Sequence, residues 1–196
     1  MPKPDPVKLS PDDMLIAEFN YIAQTAFQAN EDRARVTSFY FVSVGSLVAA
    51  ILGTQFAGQD LGSTPLMLFA VLFTVLTGLG ILTIKQLARL RAAWHESAEA
   101  MNTIKDFYIK NHPAIEPAFK WHKETLPPTD KKNSIANLMA VEVSLLGALT
   151  TGAAIYFLMI ALNVPGPANW IVVGVSILVG YIAHWRSYKR LLVDDR

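Results

Sequence analysis

The chain has no cysteine. That excludes disulfides, thiolate metal sites and cysteine nucleophiles, and it leaves the compartment open. Charge is scarce as well. Asp, Glu, Lys and Arg make up 17% of the residues, where a soluble domain carries nearer ~25%. The net charge is +1, so the balance favours neither nucleic acid nor an acidic partner. There is no Gly-rich phosphate loop, no Gly-x-Ser-x-Gly elbow and no His-Glu-x-x-His motif. These absences lead us to expect a non-enzymatic protein with no cofactor and no nucleic-acid partner.

Breaks are rare in the first quarter of the chain. No proline occurs between Pro11 and Pro65, and no glycine before Gly45. One uninterrupted helix is therefore expected from Pro11 through Phe56. Ser10 is placed to cap it, Pro11 suits its first turn, and Asp12 and Asp13 suit the positive end of its dipole. Leu15, Phe19, Ile22, Ala26, Ala29, Arg33, Val36 and Tyr40 follow one another at alternating spacings of four and three, a heptad seam. Such a helix can lie flat on a membrane or stand off it. The seam continues in phase into the apolar run, which favours standing.

What the chain has in excess is apolar residues, 52% of the total. They are concentrated in four runs: about 37–56, 65–84, 135–162 and 169–185. About 20 helical residues cross a hydrocarbon core of about 30 Å, so each run is long enough to span. The expected fold is all-α: a four-transmembrane-helix bundle with two long helices extending from it as an antiparallel hairpin. The first extension leads into span 1. The second leaves span 2, carries Leu87, Leu90, Trp94, Ala98, Met101, Ile104 and Tyr108 as a stripe, and stops at Asn111-His112-Pro113. Neither can bury its stripe alone. Matching their heights sets Glu31 and Asp32 beside Arg89 and Arg91, which predicts ion pairs.

The expected organisation is a mobile tail at 1–10, the helix-extended first hairpin at 11–110, a connector at 111–134, the second transmembrane hairpin at 135–190 and a tail at 191–196. The first ten residues have three prolines and no apolar core, unlike a signal peptide. A short helix near 116–124 would let Phe119 and Trp121 pack on the hairpin. With four spans, all 17 Lys and Arg fall on one side. The positive-inside rule then places both termini in the cytoplasm of a multi-pass plasma (inner) membrane protein. Trp170 on the far side, with Tyr40, Tyr181, Trp185 and Tyr188 on the near side, would form aromatic belts.

Glu142 is the one acid inside a predicted span, and an intramembrane acid is a functional candidate unless it sits at headgroup depth. His184 and Arg33 are its candidate partners, and Ser43 joins them as a polar group of span 1. His95 and Glu99, four apart on one helix, have metal-ligand spacing, but a solvated polar face explains them better. His112 and His122 have no such spacing. The basic clusters at 85–91 and 186–190 suit anionic headgroups.

The junction Asn30-Glu-Asp-Arg-Ala-Arg-Val-Thr-Ser-Phe-Tyr40, with a two-span hairpin and a long exit helix over residues 11–110, resembles small bacterial inner-membrane proteins of the SLATT and RipA types. That resemblance implies self-assembly and, for the SLATT type, a membrane-effector role. Two functions are expected. The first is an oligomeric scaffold or accessory subunit acting through the hairpin, as a homo-oligomer or within a larger membrane complex. The second is an oligomeric channel or membrane effector with Ser43, Ser46, Glu142 and Thr150 near a pore between subunits.

Overall fold

A computed structural model describes residues 10–56, 62–164 and 166–194. The expected tail at 1–9, most of the first loop and the last two residues lie outside them. The described chain is helical throughout, with no strand: α1 (Pro11–Phe56), α2 (Ser63–Asn111), α3 (Ile135–Ala161) and α4 (Ala168–Asp194). The continuous first helix is as expected, and Ser10 caps it: the Asp13 amide donates to Ser10 Oγ at 3.4 Å. At the start of α2 the N-cap is Gly62, without a side-chain bond. Between α2 and α3 the prolines allow only two 3-10 turns, Pro113–Ala118 and Lys123–Thr125, in place of the expected short helix.

All four helices contain a window long and apolar enough to cross a membrane. Their outward faces carry Leu68, Val71, Leu145, Leu149, Ile171 and Leu178, all exposed. In water this much exposed aliphatic surface would be a liability, and in a bilayer it is the solvated face.

α2 and α3 form the central pair; α1 packs on α2, and α4 packs on α3 and α2. Helices adjacent in sequence pack antiparallel, which leaves α2 and α4 parallel. Tyr40 lies against Gly80, and Leu15 and Phe19 share a groove with Ile104 and Tyr108. Phe73 stacks on Phe157 with centroids 5.6 Å apart. On α3 and α4, Gly147 receives His184 and Gly152 receives Ile177. Small residues at these crossings let the backbones approach closely.

Carried along the helices, this register brings Arg35, Lys85, Glu142 and Arg186 to one level, and all four are exposed. About 20 apolar residues of each helix lie on one side of that level, roughly 30 Å at the helical rise. The apolar stretch of α3 runs Ile135–Ala161, and its first residues, Ile135 to Val141, sit beside the charged part of α2.

The heptad seam of α1 is buried as expected. Ile22, Ala26, Ala29, Arg33 and Tyr40 face inward, with Leu15, Phe19 and Val36 half-buried at the same interface. α4 continues past its expected end at Trp185 and buries Tyr188 and Leu192 almost completely. Tyr40 and Tyr188 are each 1% exposed, so they belong to the core and not to an aromatic belt. Trp170 is exposed, as a belt residue should be.

Candidate functional site

Two polar layers interrupt the apolar core. The upper one is built around His184, which is fully buried. Its ring fits because Gly147 on α3 and Gly80 on α2 have no side chains: a Cβ on Gly147 would collide with Nε2, Cδ2 and Cε1 of the imidazole, and one on Gly80 would stand 2.9 Å from Nε2. His184 Nδ1 lies 2.7 Å from the Gly180 carbonyl one turn back. A carbonyl can only accept, so Nδ1 is the donor in this bond. Nε2 has no partner among the described residues, and the buried Tyr40 hydroxyl, which interacts with the Thr150 side chain, lies 2.6 Å from the same Gly80 Cβ position. Above them, farther from the lower layer, Thr77 and Thr150 join α2 to α3 through a hydroxyl–hydroxyl bond of 3.0 Å. Thr150 and Ser144 also donate to carbonyls of their own helix. This layer is closed to the outside and acts as a packing lock between α2, α3 and α4.

The lower layer lies just outside the level marked by Arg35, Lys85, Glu142 and Arg186. Arg33 on α1 is 7% exposed and Arg91 on α2 is 5% exposed. Side chains lean toward the N-terminus of their own helix. On antiparallel helices Arg33 therefore leans away from the apolar slab and Arg91 leans toward it, and the two guanidiniums converge. Arg91 Nε donates to the Thr129 carbonyl at 3.1 Å and its Nη2 to the Pro128 carbonyl at 3.2 Å. Its guanidinium lies 4.6 Å from the Trp94 ring centroid. These contacts strap the connector onto α2 ahead of α3. Arg33 has only a 3.4 Å bond from Nε to the Ala29 carbonyl of its own helix. Among the described residues no carboxylate forms an ion pair with either arginine. Burial holds the Arg33 guanidinium below its ordinary value, and the neighbouring Arg91 charge lowers it further. Burial likewise lowers Arg91. Both remain cations at any ordinary pH.

Tyr188 closes this layer from α4, its hydroxyl 3.5 Å from the Ala136 carbonyl. Burial raises its phenol, while the Arg91 and Arg33 charges offset part of that rise. A phenol raised in the fold keeps its proton to higher pH than in the unfolded chain. Its contribution to stability is complete below the ordinary value of about 10 and is lost as pH climbs through the folded value. Melting curves between about pH 8 and about pH 11 should therefore fall more steeply for the wild type than for Tyr188→Phe. Parallel curves would remove Tyr188 from that account.

The sequence-predicted residues are distributed differently from what was expected. Glu142 is exposed on the outer face of α3, level with Lys85, whereas His184 is buried in the core. The structure does not bring Glu142 to His184. Arg33 lies in the lower layer, separate from His184 in the upper one. Ser43 is half-buried, and its hydroxyl donates to the Phe39 carbonyl at 2.8 Å. The expected hairpin ion pairs do not form. Asp32 pairs with Arg35 on its own helix at 3.3 Å, Glu31 and Arg89 are exposed, and Arg91 points into the core. The height matching was right, but the facing was not: the connector and the start of α3 cover the side of α2 that carries Arg91. His95 lies 3.9 Å from Glu99, and no group of metal-binding residues occurs among the described residues. Sequence reasoning missed Tyr188 as a core residue, although Gly180, His184, Tyr188 and Leu192 continue one face of α4.

Comparison of the chain with protein-family models, with curated proteins and with solved structures finds no match.

Proposed function

We propose that the protein is a membrane scaffold or accessory subunit that self-associates through the extended part of α1. The observation that carries this reading is the apolar surface left over after the α1–α2 seam is filled. Met14 and Tyr21, one heptad apart, flank the seam on one side; Ile16 and Phe27, three turns apart, flank it on the other. All four are exposed, Tyr21 by 66% and Phe27 by 64%. They lie in the part of α1 outside its apolar segment, where lipid does not cover them, and the 113–125 connector leaves them open. Such aromatic surface on a water-facing helix marks an interaction site. Self-assembly is also what the resemblance to the SLATT and RipA types implies.

The placement of all 17 Lys and Arg on one side of a four-span chain supports a cytoplasmic hairpin with both termini inside the plasma (inner) membrane. The channel reading has less support. Thr74, Thr77 and Ser176 hydroxyls, like that of Ser43, bond the carbonyl one turn back, and the buried polar groups of the upper layer are enclosed within one copy.

Light scattering of the detergent-solubilised chain should give a multiple of 21.6 kDa after subtraction of detergent. Tyr21→Glu combined with Phe27→Glu should reduce it to a monomer without changing the helical content. A wild type that is monomeric both in detergent and in lipid nanodiscs would remove the scaffold reading. Ion flux through wild-type liposomes that is lost in Glu142→Gln would favour the channel instead.

A further inference from the structure

The lower polar layer opens outward as a cleft of about 480 Å³. Its floor is cationic: Arg33 from α1 and Arg91 from α2. Its upper wall is apolar: Ile135, Ala136 and Met139 at the start of α3, with Trp94 beside them. Two buried like charges without an ion-paired carboxylate among the described residues are costly, since each lowers the other's affinity for its proton. A guanidinium has five N–H donors. Arg91 uses its own on two carbonyls, and Arg33 uses one, so most of the Arg33 fork is unspent. The Thr37 hydroxyl, one turn along the same buried stripe, is also without a partner, as is the Thr129 hydroxyl beside the Arg91 strap.

We propose that this cleft binds the phosphate of an anionic membrane phospholipid, with Arg33 and Arg91 on the phosphate oxygens and the acyl chain along Ile135 and Met139. Phosphate fits because its oxygens accept a bidentate guanidinium fork and its negative charge can lie between the two cations, relieving their repulsion. A lipid fits better than free phosphate because of depth. The cleft lies immediately outside the level of Lys85 and Glu142, and headgroups occupy a layer of only about 5–8 Å beyond the hydrocarbon. Ile135 is 77% exposed at the mouth of the cleft, an apolar surface that suits a lipid chain and not a solvated anion. This binding is more specific than the general attraction of juxtamembrane lysines for an acidic bilayer. It is two converging side chains inside a walled cleft.

The test uses the full chain in a neutral detergent, titrated with dihexanoyl phosphatidylglycerol, with dihexanoyl phosphatidylcholine and with inorganic phosphate, and reads the thermal midpoint. Phosphatidylglycerol should raise it saturably, and phosphatidylcholine much less. Arg33→Gln should weaken the phosphatidylglycerol response roughly tenfold. Arg33→Lys, which keeps the charge and loses the fork, should weaken it several-fold. Arg35→Gln, exposed and two positions away, should leave it unchanged. Inorganic phosphate that matches phosphatidylglycerol at equal concentration would reassign the site to a free anion and overturn the lipid. Equal responses to both lipids, or an Arg33→Gln response equal to that of Arg35→Gln, would overturn the site itself. Should Arg33→Gln not fold, wild-type native mass spectra decide: retention of phosphatidylglycerol over phosphatidylcholine supports the cleft, and equal retention overturns it. The proposal rests on the helices spanning a bilayer and not on self-association, so a self-associated chain that ignores phosphatidylglycerol sinks it alone.

Discussion

Gly147→Ala should lower the thermal midpoint by roughly 5–10 °C, because one added methyl group meets the imidazole of His184 on three of its atoms. Overpacking a filled core costs about 1–3 kcal/mol, and for a chain of this size each kcal/mol corresponds to roughly 2–4 °C. The upper end is expected here because the ring cannot move aside. Its Nδ1 is tied to the Gly180 carbonyl at 2.7 Å, and its other edge faces Gly80. The contrast with other glycines makes the experiment decisive. A Cβ on Gly45, Gly78 or Gly174 meets nothing within 4 Å, so alanine there should be neutral or stabilise by up to about 1 kcal/mol through helix propensity. Gly80→Ala should fall between, since a Cβ there meets one atom of the imidazole, at 2.9 Å, and the Tyr40 hydroxyl at 2.6 Å, where Gly147 meets three imidazole atoms. If Gly147→Ala melts with Gly78→Ala, the polar layer does not lock the helices.

Much of this arrangement is written in local patterns. The four apolar runs, the unbroken α1 and the seam from Leu15 to Tyr40 follow from spacing alone, because a helix converts sequence period directly into a face. The depth of each residue is a different kind of information. Glu142 looks intramembrane when α3 is counted from its first residue, Ile135. Its exposure on the outer face of α3, level with Lys85, emerges only when the Thr77–Thr150 and Gly147–His184 contacts fix the register of α3 against its neighbours. No single helix carries that register. The same limit applies to Arg91. Its position on the α2 stripe suggests an exposed partner for Glu31, while the carbonyls of Pro128 and Thr129, far along the chain, draw it inward. The glycines of the spans could be assigned to helix packing in general, but the partner of each one depended on the tertiary crossing.

The two buried arginines should respond to removal with opposite signs. Arg91→Ala is expected to destabilise the chain by about 2–4 kcal/mol. It deletes two charge-assisted bonds to carbonyls, at about 1.5–3 kcal/mol each before the relief of desolvation, and it strips the stem packed against Trp94. Connector residues 123–134 should then become protease-sensitive, which a digest of the detergent-solubilised variant would detect. Arg33→Met should do the reverse and raise stability by about 1–2 kcal/mol in neutral detergent. The buried guanidinium there has one long bond, and its removal also ends the repulsion with Arg91. Hydrophobic replacement of a buried charge of similar volume is often stabilising by that amount. The gain should disappear in phosphatidylglycerol nanodiscs, where the wild-type cleft has an anion between the two charges. A residue that weakens the fold when empty and is compensated only by a bound phosphate is retained for binding. Destabilisation by Arg33→Met in neutral detergent as large as that of Arg91→Ala would instead make Arg33 a structural residue.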